Sequence, residues 1–139
     1  MKKVVLVACG AKKLDSSQKA KDLYIGSVFK RNWKEIESEY PDSDKYIISS
    51  KYGLVDANQI IDPYEQNYPD KEKDLDKWAQ QVVNDLLKNG FDPKNDELVI
   101  YAAKRIGQAI VKCFPELKNY TIISIDWFGK RYVWTGSKP

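Results

Sequence analysis

Unbroken apolar runs alternate along this chain with amphipathic stretches of helical period, and polar, turn-forming segments separate the two. Residues 3–8 carry the run Val4-Val5-Leu6-Val7-Ala8, which predicts a strand buried on both faces and central in a parallel sheet. Ser27 stands where it can cap a helix running to about Tyr40, with Phe29, Trp33, Ile36 and Tyr40 on one stripe. Tyr46-Ile47-Ile48-Ser49-Ser50 predicts a second strand, with Lys51-Tyr52-Gly53-Leu54 as its exit turn. Residues 72–89 read as a helix with Leu75, Trp78, Val82 and Leu86 inward, stopped by Asn89-Gly90. A third strand over 97–102, a short helix over 104–114, a fourth strand over 120–124 and a short edge strand near the end follow. Two stretches read as long loops. Residues 11–25 are polar with Asp15-Ser16-Ser17 turn chemistry, and 54–70 carry Asp62-Pro63 and Tyr68-Pro69, which exclude a regular helix. The alternation predicts one α/β domain over 1–139, a three-layer sandwich around a mainly parallel central sheet of four to five strands.

A parallel sheet gathers its strand ends. Cys9-Gly10-Ala11-Lys12-Lys13, Ser49 to Tyr52, Ala102 to Arg105, and Ser124 to Trp127 then face one crevice, where open α/β sheets bind ligands. The candidate catalytic residues are Lys13 and Lys51, as phosphate ligands or amine groups, and Asp62 and Asp126, as carboxylates that orient water. The candidate ligand-binding residues are Cys9 and Gly10 in the first turn, and Tyr24, Tyr52 and Tyr64 for stacking on a base. Ser49, Ser50 and Gly53 in the second turn join them, with Arg105 near a helix start for anionic charge. Each has a plain structural alternative: exposed lysines, a carboxylate that organises a turn, a surface arginine. Trp33 and Trp78 fall on helix stripes, whereas Trp127 and Trp134 are free to stack on a base.

Composition narrows the chemistry. The chain has no histidine, which removes Ser-His and Cys-His nucleophile pairs and any His-ligated metal. No glycine-rich phosphate loop of a standard pattern occurs, so neither a metal nor a cofactor is expected. The formal charge of +3 from 23 basic and 20 acidic residues does not by itself point to nucleic acid; clustered lysines near both ends would matter more. Two cysteines make no disulfide framework, and Cys113 shares a helical stripe with Ile106 and Ile110. With no signal peptide and no apolar stretch of membrane-spanning length, a cytoplasmic protein without membrane attachment is expected. Nothing in the pattern bears on oligomeric state.

Cys9-Gly10 followed by Lys13, Ala20, Leu23-Tyr24 and Phe29, then Ser49-Ser50-Lys51-Tyr52-Gly53-Leu54 and Pro63-Tyr64, resemble a small family from bacteria and phages grouped with the YaaA-like proteins. The strand-then-Cys-x-x-x-Lys turn is also similar to that of the archaeosine synthase core, although Leu14-Asp15-Ser16 stands where Pro-Tyr-Ser follows the lysine there. The resemblance implies an association with nucleic acids or base modification. Together these readings lead to a domain that processes a nucleobase, nucleoside or nucleotide at a glycosidic bond or a modified base. The alternative is a non-catalytic module that binds a nucleotide or a nucleic acid.

Overall fold

The computed structural model describes residues 1–137. In chain order the elements are β1 (Lys3–Ala8), β2 (Gln18–Lys19), α1 (Ala20–Leu23), α2 (Ser27–Glu39), β3 (Asp44–Ser49) and β4 (Gly53–Asp56). After them come β5 (Ile60–Ile61), α3 (Glu72–Lys88), β6 (Glu97–Tyr101), α4 (Lys104–Cys113), β7 (Asn119–Ile125) and β8 (Arg131–Gly136). The main sheet has six strands in the order β4-β3-β1-β6-β7-β8. Its four inner strands are parallel, and the edge strands β4 and β8 run antiparallel to their neighbours.

Strand alternation sends side chains to two separate cores. Val4, Leu6, Ile48, Leu98, Ile100 and Ile122 pack under α3 and α4. Val5, Val7, Ile47, Val99, Tyr101 and Ile123 pack with Phe29 and Ile36 of α2 on the opposite face. Both faces of the inner strands are therefore covered, which is why their sequences are apolar without alternation. Three layers result. Among the described residues, no helix is long and apolar enough to cross a membrane.

Three expectations need correction. The sheet is mixed and six-stranded, not a sheet of four to five strands, because the chain reverses directly after β3. Gly53 takes φ +71°, which favours glycine, and pairs with Ser49 to start the antiparallel β4. The exit turn is thus a hairpin. The two predicted loops are partly ordered as a small second sheet, in which β2 pairs with β5. The Ala20 N–H donates to the Gln59 carbonyl at 2.8 Å and the Lys21 N–H to that of Ala57 at 3.0 Å, so each loop supplies the other's missing partners. Ser27 opens α2 but does not cap it: Gly26 holds the cap position and no side chain bonds there.

The order of the strands fixes the place of the site. From β1 the chain passes through α2 to β3 on one side. From β6 it passes through α4, on the other face, to β7 on the other side. The connections leaving β1 and β6 therefore diverge and leave a crevice between them.

Candidate functional site

A cavity of about 310 Å³ occupies this divergence point. The end of β1 contributes Cys9 and Gly10, the end of β6 contributes Tyr101 and Ala102, and β7 contributes Ser124. From α2 come Phe29 and Asn32, from the start of α4 Ala103 and Ile106, and from the long loop before α3 Tyr68. Small residues at the two strand ends keep the mouth open; a methyl group on Gly10 would meet nothing closer than Phe29 Cβ at 3.7 Å. The walls are mainly apolar, with few polar groups, as in sites for planar organic ligands.

Those polar groups differ in how they are satisfied. The Tyr68 hydroxyl donates to the Ile48 carbonyl at 2.6 Å and accepts the Cys9 N–H at 3.1 Å. The Cys9 thiol lies 3.3 Å from that hydroxyl and 3.6 Å from Ser50 Oγ, and its sulfur accepts the Ser50 N–H at 3.3 Å. Burial, with Cys9 alongside, raises Tyr68 well above the usual phenol range, so it stays protonated. Tyr101 is likewise raised by burial and by its hydrogen bond to the Glu35 carboxylate, which also accepts from Arg131. Asn32 is the exception. Its residue is 7% exposed, yet its Oδ1 has no hydrogen-bond partner. A buried acceptor left bare costs about 1–3 kcal/mol, and such a cost calls for an occupant. The start of α4 adds a second unfilled capacity, since no side chain caps it and the first N–H groups of a helix lack partners within it.

The sequence-derived candidates divide around this crevice. Cys9 and Gly10 line it. Lys13 does not: it forms a bridge with Tyr24, its ammonium donates to the Ala11 carbonyl at 3.0 Å, and it sits 4.5 Å from the centre of the Tyr64 ring. Lys13 and Tyr64 line a separate, shallower depression. Tyr24, Ser49 and Tyr64 form a buried network, with hydroxyl separations of 2.6 and 2.7 Å, and Ser49 Oγ accepts the N–H groups of Lys51 and Tyr52. Burial raises Tyr24 and Tyr64, so both remain neutral, and both rings are covered rather than open to a base. Ser50 donates to the Gln66 carbonyl, and Gly53 serves the hairpin.

Five further candidates sit elsewhere. Lys51 lies over the half-exposed Tyr52 ring at 5.3 Å. Asp62 accepts from Ser17 and so ties two distant loops together, whereas Asp126 accepts the N–H groups of Phe128 and Lys130 at 2.9 Å and organises its turn. Arg105 donates to the Pro69 and Asp70 carbonyls and ties the Tyr68 loop to α4. Among the described residues no three Cys, Asp or Glu side chains gather to hold a metal.

Asn32, Tyr68 and Tyr101 are the site residues that sequence reasoning missed, whereas Ser124 lines the crevice as its strand end predicted. Asn32 left a trace, because it falls between Phe29 and Ile36 on the inward stripe of α2, where a polar residue is out of place. Tyr68 left none; its partners lie 20 and 59 positions away.

Over residues 4–130 the chain matches the family of unknown function DUF6884, and it belongs to that family. No curated protein and no solved structure matches it.

Proposed function

We propose that this crevice binds a nucleobase, nucleoside or nucleotide, base inward, and that the chain acts on it at the glycosidic bond or the base. The observation that carries the reading is Asn32, which lines an apolar cleft and whose buried carboxamide oxygen has no hydrogen-bond partner. A carboxamide pairs bidentately with the donor-acceptor edge of a base, and the mainly apolar wall around it suits a planar heterocycle. The uncapped start of α4 suits a phosphate or ribose hydroxyl. Cys9 supplies the one thiol in the crevice and donates to the Tyr68 hydroxyl at 3.3 Å, whose own proton is held by the Ile48 carbonyl. Lys13 and Lys51 take no part in this arrangement. The likeness to YaaA-like and base-modifying proteins supports the same ligand class.

A binding module without turnover is the second reading. It is favoured by the engagement of Asp62 with Ser17 and of Asp126 in its own turn, and by a crevice wall that carries no carboxylate. Calorimetric titration with bases, nucleosides and nucleotides tests the ligand class. Binding to the wild type that is lost in Asn32→Leu is the expected result; equal affinity in both proteins overturns it. Product formation by the same samples separates the two readings.

A further inference from the structure

Beside the crevice lies a second arrangement that the single-nucleotide reading does not use. Alternate residues of β8 point to the α4 side of the sheet, where Tyr132 stands opposite Ser124 and Trp134 opposite Ile122. Ser124 itself lines the crevice, so the strip begins at its mouth. The Tyr132 and Trp134 rings are nearly parallel, 12° apart with centroids separated by 6.3 Å. Tyr120 continues the row: its hydroxyl lies 2.6 Å from where Gly136 would carry a Cβ, so glycine there makes room for the ring.

Cations cover these rings. Lys130 Nζ lies 5.2 Å from the Tyr132 centroid, and Lys104 Nζ 5.1 Å from that of Trp134. Among the described residues neither lysine has an ion pair with a carboxylate, like most basic residues of the chain; Lys2, Lys3, Lys94 and Arg131 have one each and Lys112 has two. The acidic group nearest Lys130 along the chain, Asp126, holds two backbone N–H groups of the β7–β8 turn. Lys104 is also the first residue of α4, where a positive charge opposes the helix dipole, so its position is not explained by helix stability. The turn itself exposes Trp127 and Phe128.

Unpaired cations over a row of rings provide what a single strand of nucleic acid needs: phosphate contacts and stacking faces. We infer that the β8 strip binds single-stranded nucleic acid and delivers one nucleotide of that strand into the crevice. The inference rests on the crevice reading and names its substrate as a polymer. Bases adjoining the inserted one stack on Tyr132 and Trp134, and their phosphates meet Lys104 and Lys130.

Fluorescence anisotropy with labelled DNA and RNA single strands of about ten nucleotides tests it, against a mononucleotide titrated by calorimetry. The expected result is oligonucleotide affinity at least about tenfold above that of the mononucleotide, with a logarithmic salt slope near −1.4 for two phosphate contacts. Tyr132→Ala is expected to weaken the oligonucleotide roughly tenfold, and Lys104→Glu to reduce the slope by about 0.7. Tyr132→Ala should keep the wild-type mononucleotide affinity, since Tyr132 does not line the crevice. Lys104→Gln provides a second variant if Lys104→Glu does not fold. A preference between the DNA and RNA arms reports a contact to the 2′-hydroxyl.

Equal affinity for oligonucleotide and mononucleotide overturns the inference while leaving the crevice reading intact. So does an oligonucleotide affinity that neither variant changes, or equal binding of an acidic peptide such as poly-glutamate. Mononucleotide binding absent from the wild type, with oligonucleotide binding that still depends on Tyr132, overturns the crevice reading and with it the delivery step.

Discussion

Two clusters of tyrosine and small polar residues flank the end of β1, and they contrast in one respect. On one side, Tyr24, Ser49 and Tyr64 are buried and satisfied, each hydroxyl engaged by a neighbour. On the other, Cys9, Tyr68 and Asn32 surround an open cavity, and the acceptor of Asn32 is bare. A closed polar network contributes to stability and specifies a single core. An open one carries a free-energy cost that a ligand relieves. Residue type alone does not separate the two, because both are built from aromatic hydroxyls and small side chains. Polar satisfaction does.

The contrast breaks most readily at Tyr68, which belongs to both stability and site. Tyr68→Phe strips partners from the Ile48 carbonyl and the Cys9 N–H, and denaturant unfolding should show a loss of roughly 2–4 kcal/mol together with loss of ligand binding. Tyr64→Phe tests the closed side. It removes two buried hydrogen bonds and should cost about 2 kcal/mol while leaving ligand affinity unchanged. If instead the affinity falls with the stability, the closed network reaches the ligand and the division fails.

Asn32→Leu sharpens the comparison because its two readouts move in opposite directions. Removing the bare acceptor should stabilise the fold by about 1 kcal/mol in the same unfolding measurement, and ligand binding should disappear. A destabilised variant would mean that Asn32 is held by the protein for its own packing.

The smallest effect concerns Glu35. Its hydrogen bond from Arg131, then that from Tyr101, lowers its carboxyl below the usual value of 4.5. A group depressed in the folded state adds stability above its unfolded pKa and loses it as pH falls through the folded value. Acid titration of stability should therefore show a decline below pH 4.5 that is shallower in Glu35→Gln. The difference stays under about 1 kcal/mol, since solvent screens the pair. An identical acid limb in both proteins would remove Glu35 from the linkage.

The strands and helices of the inner sheet were readable because each is a long run of one period. Residues 72–89 are read as helix and α3 spans Glu72–Lys88; residues 97–102 are read as strand and β6 spans Glu97–Tyr101. The short elements escaped. α1 has four residues and β2 and β5 two each, too few for periodicity to show, and all three depend on pairing between loops distant in the chain. The hairpin into β4 depends on one glycine at positive φ, where an exit turn and a strand start have the same composition. At the site, Cys9 and Gly10 were legible as a turn after a buried strand. Lys13 was misjudged as their neighbour in space: the chain beyond Gly10 turns to bridge Tyr24, and this carries the ammonium to the Tyr64 ring.

Local patterning by itself thus determined the inner strands and the long helices that cover them, because burial on one face or two imposes a period that is written residue by residue. It also determined that the end of the first strand is a turn rich in small and polar groups. Only the tertiary structure decided which of those groups face the crevice, since that depends on the strand order and on hydrogen bonds such as Tyr68 to Ile48, whose partners are set by the fold. It alone decided that Asn32 is bare while Ser49 is satisfied. Whether a polar atom has a partner depends on what other segments bring to it, and no single stretch of sequence contains that information.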